Sequence, residues 1–147
     1  MISPGLRKFI YVLLAFLVIL DVVLSATCIF FPEKWFAIFH NMPYAGNDPV
    51  FLLRRTGALW VAFTLLQFVA LIRWEKAPWW LILIAGVRLT ELFSDWTYLY
   101  LAWQAGHMTT LGSIGLFIAP PGNLAFGWFL IWAYLKIMRE KHAVSAI

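Results

Sequence analysis

The chain has 147 residues, of which 63% are hydrophobic and only 12% charged. This excludes an ordinary water-soluble domain, in which about a quarter of the residues carry charge. A formal charge of +4 does not point to nucleic acid either. A folded nucleic-acid binder gathers Lys and Arg into one patch, whereas here they flank the apolar runs. Cys28 is the only cysteine, so neither an internal disulfide nor an all-cysteine metal site can form within one chain.

The first apolar run, about residues 9–31, follows Arg7 and Lys8 and so imitates a signal peptide. It is too long for one, and Ser25-Ala26-Thr27-Cys28 makes a poor cleavage or lipid-attachment site. A retained first span is therefore expected, with Asp21 near its middle and Pro32 at its end. Pro-Glu-Lys followed by Trp35, Phe36, Ile38 and Phe39 predicts a short amphipathic helix, about residues 33–40, lying at a membrane interface. MPYAGNDP, residues 42–49, is rich in turn formers and reads as a connector. A second span follows over about residues 51–72, with Arg54 and Arg55 near its start, Gln67 further in, and Gly57, Ala58 and Ala62 as small residues suited to close helix packing.

The connector RWEKAP is so short that spans two and three must be antiparallel neighbours. Span three, about residues 79–103, is unusual because Arg88, Glu91 and Asp95 lie in its middle. Each costs roughly 2.5–3.5 kcal/mol even on the lenient insertion scale. At about 100° per residue the three fall within one narrow arc, so that face must point into protein. Residues 104–122 carry no Asp, Glu, Lys or Arg and contain several glycines. They are expected to fold back on the membrane surface or dip between helices, and a last span of about residues 123–138 begins after Pro120-Pro121-Gly122.

The expected fold class is all-α: one polytopic domain of four transmembrane helices in an antiparallel bundle, with a short interfacial helix after the first span. Arg7, Lys8, Arg73, Lys76, Lys136, Arg139 and Lys141 collect on one side, and only Lys34, Arg54 and Arg55 on the other. The positive-inside rule then puts both termini in the cytoplasm.

The natural pairing of the intramembrane charges is Asp21 with Arg88, and Arg55 with Asp95 or Glu91. As structural ion pairs these five residues orient and lock the helices. On the functional reading one carboxylate stays unpaired and carries a proton, which makes Glu91, Asp95 and Asp21 the candidates for any catalysis. No histidine lies in a predicted span, so a Glu-x-x-His metal site is not indicated. His40, His107 and His142 fall in connectors or the tail and read as solvated or interfacial, although His40 and His107 share the outer face, where a metal, haem or chlorophyll is the sharper alternative.

Nine tryptophans divide into boundary anchors (Trp35, Trp74, Trp79, Trp80 and Trp103) and a deeper set (Trp60, Trp96, Trp128 and Trp132). Packing accounts for the deeper set; the alternative is a cavity for a flat apolar ligand, lined by Trp60, Gln67, Arg88, Glu91, Asp95, Trp96 and Trp128. No phosphate loop, G-x-S-x-G elbow, H-E-x-x-H or C-x-x-C is present. No recognisable motif encodes a cofactor, which leaves a bound lipid, quinone or pigment.

The segments FFPEKWF, LLRRTGALWVAF and GVRLTELFSDWTYL resemble the small DoxX-like four-helix membrane proteins of bacteria. That resemblance implies a four-helix fold in a bacterial inner membrane and an accessory role. The expected function is a small, non-catalytic accessory or scaffold subunit of a larger membrane complex, such as one for respiratory or photosynthetic electron transfer. It would contact membrane lipids, other subunits or copies of itself, and no nucleic acid. The alternative is an intramembrane protein that binds a lipid, quinone or sterol-like molecule, acting as binder, isomerase or proton-coupled carrier through Glu91 and Asp95.

Overall fold

A computed structural model describes residues 2–42 and 46–145. Five helices follow one another: α1 (Pro4–Phe30), α2 (Pro32–His40), α3 (Asn47–Arg73), α4 (Trp79–Ala105) and α5 (Thr110–Ser145). The described residues contain no strand. Ser3 caps α1 by accepting the Leu6 N–H at 3.3 Å, and Pro4 occupies the first turn, where its missing N–H costs nothing. Helix α2 is the short helix expected after the first span. It ends at Asn41, whose left-handed φ of 48° closes the last turn. Residues 43–45, the middle of the expected connector, lie outside the described residues, and α3 begins within that connector at Asn47.

Helices α1, α3 and α5 are long and apolar enough to cross a membrane. Helix α4 matches α1 and α3 at 27 residues. It stands apart by composition, because any stretch of it long enough to cross a bilayer contains Arg88, Glu91 and Asp95.

One expectation needs correcting. Residues 104–122, expected to fold back on the membrane surface or dip between helices, are instead mostly helical, and the last helix does not start at Asn123: α5 starts at Thr110 and runs unbroken through Pro120 and Pro121. Pro-Pro-Gly usually reads as a helix stop because proline lacks the N–H and crowds the carbonyl four residues back. In an apolar setting the remaining helical bonds have no water to compete for them, and neighbouring helices support the interruption. Only Gly106, at φ 65°, and the three residues after it separate α4 from α5.

The packing is pairwise, α1 on α3 and α4 on α5. Along α1, Tyr11 meets Trp74, Asp21 meets Gln67, and Cys28 lies where a Cβ on Gly57 would be only 2.9 Å away. Gly57 is thus the small residue that lets α1 and α3 close. Ala58 and Ala62, expected to share that role, are exposed, since at about 100° per residue neither lies on the Gly57 face. Gly127 does the same for α4 and α5, against Leu89 and Ala85.

Ile10, Leu14, Leu17, Leu81, Ile84 and Leu130 are fully buried and form a core shared by the two pairs at the end that carries the described termini. Trp74, expected as an interfacial anchor, belongs to this core and stacks edge-on against Tyr11. Its position after the last turn of α3 folds it back over the bundle end. Toward the other end the helices expose Phe93, Trp103, Phe117 and Ile118. Hydroxyls on the long helices turn to their own backbone: Thr27 to Val23, Thr56 to Leu52, Thr64 to Trp60 and Thr90 to Gly86. That habit spares a polar side chain the cost of facing an apolar solvent.

Candidate functional site

All four long helices send a polar side chain to the middle of the bundle. Asp21 of α1 is buried and accepts a hydrogen bond from Gln67 Nε2 of α3 at 2.6 Å. The same Asp21 oxygen, Oδ2, takes the Nη2 of Arg88 from α4 in a buried ion pair. The other terminal nitrogen of Arg88, Nη1, lies 2.6 Å from Glu91 Oε2, one turn along α4. The Trp60 indole of α3 also bears on the Glu91 carboxylate. One further turn out, Asp95 accepts from Asn123 Nδ2 of α5 at 2.9 Å.

The expected Asp21–Arg88 pair is therefore present, and Arg88, Glu91 and Asp95 do turn inward together. Arg55 does not reach Asp95 or Glu91. It is exposed and makes no ion pair among the described residues. Gly57 faces α1, and two residues of helix place Arg55 about 200° away from it. Arg88 serves both Asp21 and Glu91 instead. Asn123 has no part in the pairing expected from sequence, where it stands as the first residue of a span, although a lone Asn beside an apolar run is a signal in itself.

Three carboxylates thus line this stretch with one guanidinium, which pairs with two of them, an excess of two negative charges if all the acids are ionised. Several buried atoms also lack a partner among the described residues: Asp21 Oδ1, Gln67 Oε1 and Arg88 Nε. Buried polar atoms are nearly always bonded to protein or ordered water, so this is a place with capacity left over. The described residues hold no group of three or more His, Cys, Asp or Glu side chains able to hold a metal ion.

The expected aromatic cavity is not assembled here. Trp96 and Trp128 are 62% and 70% exposed and face outward, away from Gln67 and Arg88. Trp132, expected to pack inside, is also exposed and carries Lys136 over its ring. Of the deeper tryptophans only Trp60 approaches the network, and it also meets Trp35 of α2 with ring centroids 6.0 Å apart. Two clefts, of about 430 and 170 Å³, lie at opposite ends of the bundle, away from these side chains.

At the end opposite the described termini, α2 is pinned across the bundle. Thr109 donates its N–H to Phe39 O at 3.2 Å and its hydroxyl to Ile38 O at 2.6 Å, satisfying two carbonyls that the last turn of α2 leaves open. Gly112 passes so close that a Cβ there would sit 2.1 Å from Phe39 O. His40, expected to be solvated or interfacial, is buried, with Nε2 2.8 Å from the Tyr98 hydroxyl. Burial lowers its pKa from the ordinary histidine value, partly offset by its hydrogen bond to the His107 backbone. With its ring engaged in this way, His40 is a clamp and not an open metal ligand. No protein-family model, curated protein or solved structure matches the chain.

Proposed function

We propose that the chain is an integral membrane protein whose four long helices cross the bilayer as an antiparallel bundle, with α2 at the outer interface. Both termini lie in the cytoplasm. The opposed order of contacts along α1 and α3 supports this reading, as does the gathering of basic residues at the ends near the termini. Helix α4 crosses with its charged face turned inward, where Asp21, Gln67 and Asn123 meet it.

Within that frame the mid-bundle network binds and releases a proton, as the buried part of a proton-coupled, non-enzymatic membrane protein. One observation carries this: two carboxylates share a single guanidinium, a third stands one turn further out on Asn123, and among the described residues no second cation pairs with them. An apolar interior does not hold two uncompensated negative charges, so a proton is the simplest counter-charge. Glu91 is the proposed carrier, since it lies between the Asp21–Arg88 pair and Asp95. Infrared difference spectra of the purified protein during a pH titration test it. A carboxylic acid C=O band lost in Glu91→Gln is expected, while spectra showing all three acids ionised throughout the neutral range sink the idea.

A second reading, the accessory or self-associating subunit, is favoured by a different observation. Gly86, Thr90, Ser94 and Thr97 form an exposed small-residue row on α4, and a Cβ on Gly86 would meet nothing within 4 Å. Rows of this kind let membrane helices approach closely. The DoxX-like resemblance, a four-helix accessory protein of a bacterial inner membrane, belongs to this reading. A cysteine at Thr90 that cross-links two copies, or one copy to a neighbour, in native membranes supports it; a cysteine that stays monomeric and uncoupled counts against it.

A further inference from the structure

The cleft of about 430 Å³ lies at the basic end of the bundle, between the first turns of α1, the α3–α4 connector and the last turns of α5. Its walls are mainly apolar, with Ile2, Trp74, Pro78 and Ile137 among them. Arg7 and Glu75 stand at its rim and pair with each other through two contacts, Nε to Oε1 and Nη2 to Oε2 at 2.7 Å. Glu140 also lines it and is engaged in an interaction of its own. The acids of the cleft are thus already served.

What is left over is of one kind, hydrogen-bond donors. Lys141 lines the cleft, is exposed, and has no partner among the described residues. Trp74 lines it too, and its indole N–H is buried without an acceptor. A buried donor without an acceptor is costly unless something supplies an oxygen. Around the cleft the same end also carries Lys8, Arg73, Lys76, Lys136 and Arg139. A ligand for this place needs acceptor oxygens with negative charge, and an apolar portion to lie along Ile2, Pro78 and Ile137.

We propose that this cleft holds the phosphate headgroup of an anionic phospholipid. The phosphate lies toward Lys141 and the Trp74 N–H, and the start of the acyl chains rests on the apolar wall. The inference depends on the bundle standing in a bilayer with this end at headgroup level, and is independent of whether the mid-bundle network carries a proton. Charge complementarity selects this occupant: each basic residue at a membrane surface contributes about 1 kcal/mol toward an anionic lipid.

The test uses the full chain purified in a mild non-ionic detergent and stripped of lipid. Its thermal melting is followed during titration with phosphatidylglycerol, with phosphatidylcholine of the same chains, and with inorganic phosphate. The expected result is greater stabilisation by phosphatidylglycerol at equal concentration. Lys141→Gln, a surface change that leaves the core untouched, should weaken that lipid's apparent affinity about fivefold without altering melting in phosphatidylcholine. Trp74→Phe keeps the ring and removes the donor, and should also narrow the difference between the two lipids. Glu91→Gln is the control and should keep the preference. The proposal is overturned if the two lipids stabilise equally, if Lys141→Gln keeps the full preference, or if inorganic phosphate alone does as well as the anionic lipid.

Discussion

The two ends of this bundle are built on different principles. Near the described termini, Ile10, Leu14, Leu17, Leu81, Ile84 and Leu130 interlock until nothing of them is exposed. At the far end, Phe93, Trp103, Phe117 and Ile118 face outward, and beside the close approaches at Gly57 and Gly112 the helices are held by a few directed bonds from Thr109 and His40 to their neighbours. The buried network of Asp21, Gln67, Arg88 and Glu91 lies at the join. Packing secures one half and polar geometry the other, and the two should fail under different treatments.

The largest effect is expected at the join. Arg88→Met removes the cation from both Asp21 and Glu91 and leaves buried acids uncompensated, a loss of about 3–5 kcal/mol. Denaturant titration in detergent should register it, and adding Asp21→Asn to the same chain should recover a good part. If Arg88→Met melts like the parent, the network holds nothing together.

Next comes the same kind of truncation at the two ends. Leu14→Ala opens a hole in the closed core, and the loss should fall in the lower part of the about 2–5 kcal/mol range seen in soluble proteins. In the proposed bilayer, lipid removes the transfer contribution and leaves the lost packing. Ile118→Ala, on an exposed face, should cost a small fraction of that. Equal losses at both positions would erase the distinction between the ends.

The smallest effect should be the share of the pH dependence that belongs to the far end. Burial lowers the pKa of His40 in the folded protein, whereas in the unfolded chain it takes a proton near about 6.5. The unfolded state therefore binds more protons between those two values, and stability falls as pH drops below about 6.5. The neutral ring accepts from Tyr98 or donates to the His107 backbone without carrying charge into a buried site. Melting temperatures at pH 7.5 and 5.5 should differ more for the parent than for His40→Gln, and identical pH responses would remove His40 as the cause.

The apolar runs announced α1, α3 and α4 to within about five residues at each end, because a long, mostly apolar run bounded by turn formers defines such a helix even where, as in α4, it holds charges. The inward arc of Arg88, Glu91 and Asp95 was equally readable, since helical periodicity sets the angle between them. The partner of Asp21 could be named because α4 holds one arginine at a matching depth. What sequence could not supply was rotation about an axis. Whether Arg55 faces the bundle or the outside depends on where Gly57 packs, and that is a property of two helices. His40 was misjudged for a related reason: its burial comes from Tyr98, far along the chain, and from a loop that presents the His107 carbonyl. The proline pair misled most, because the rule that prolines end helices is learned largely from chains in water.

That pair has a consequence for insulation. Pro120 and Pro121 cannot donate to the carbonyls of Leu116 and Phe117, so α5 forgoes two helical hydrogen bonds nearly two turns before Asn123, the partner of Asp95. Elsewhere Thr27, Thr56, Thr64 and Thr90 on the long helices turn their hydroxyls back to their own backbone. Here two backbone oxygens lack their usual helical donor, so this turn is the least insulated stretch of α5.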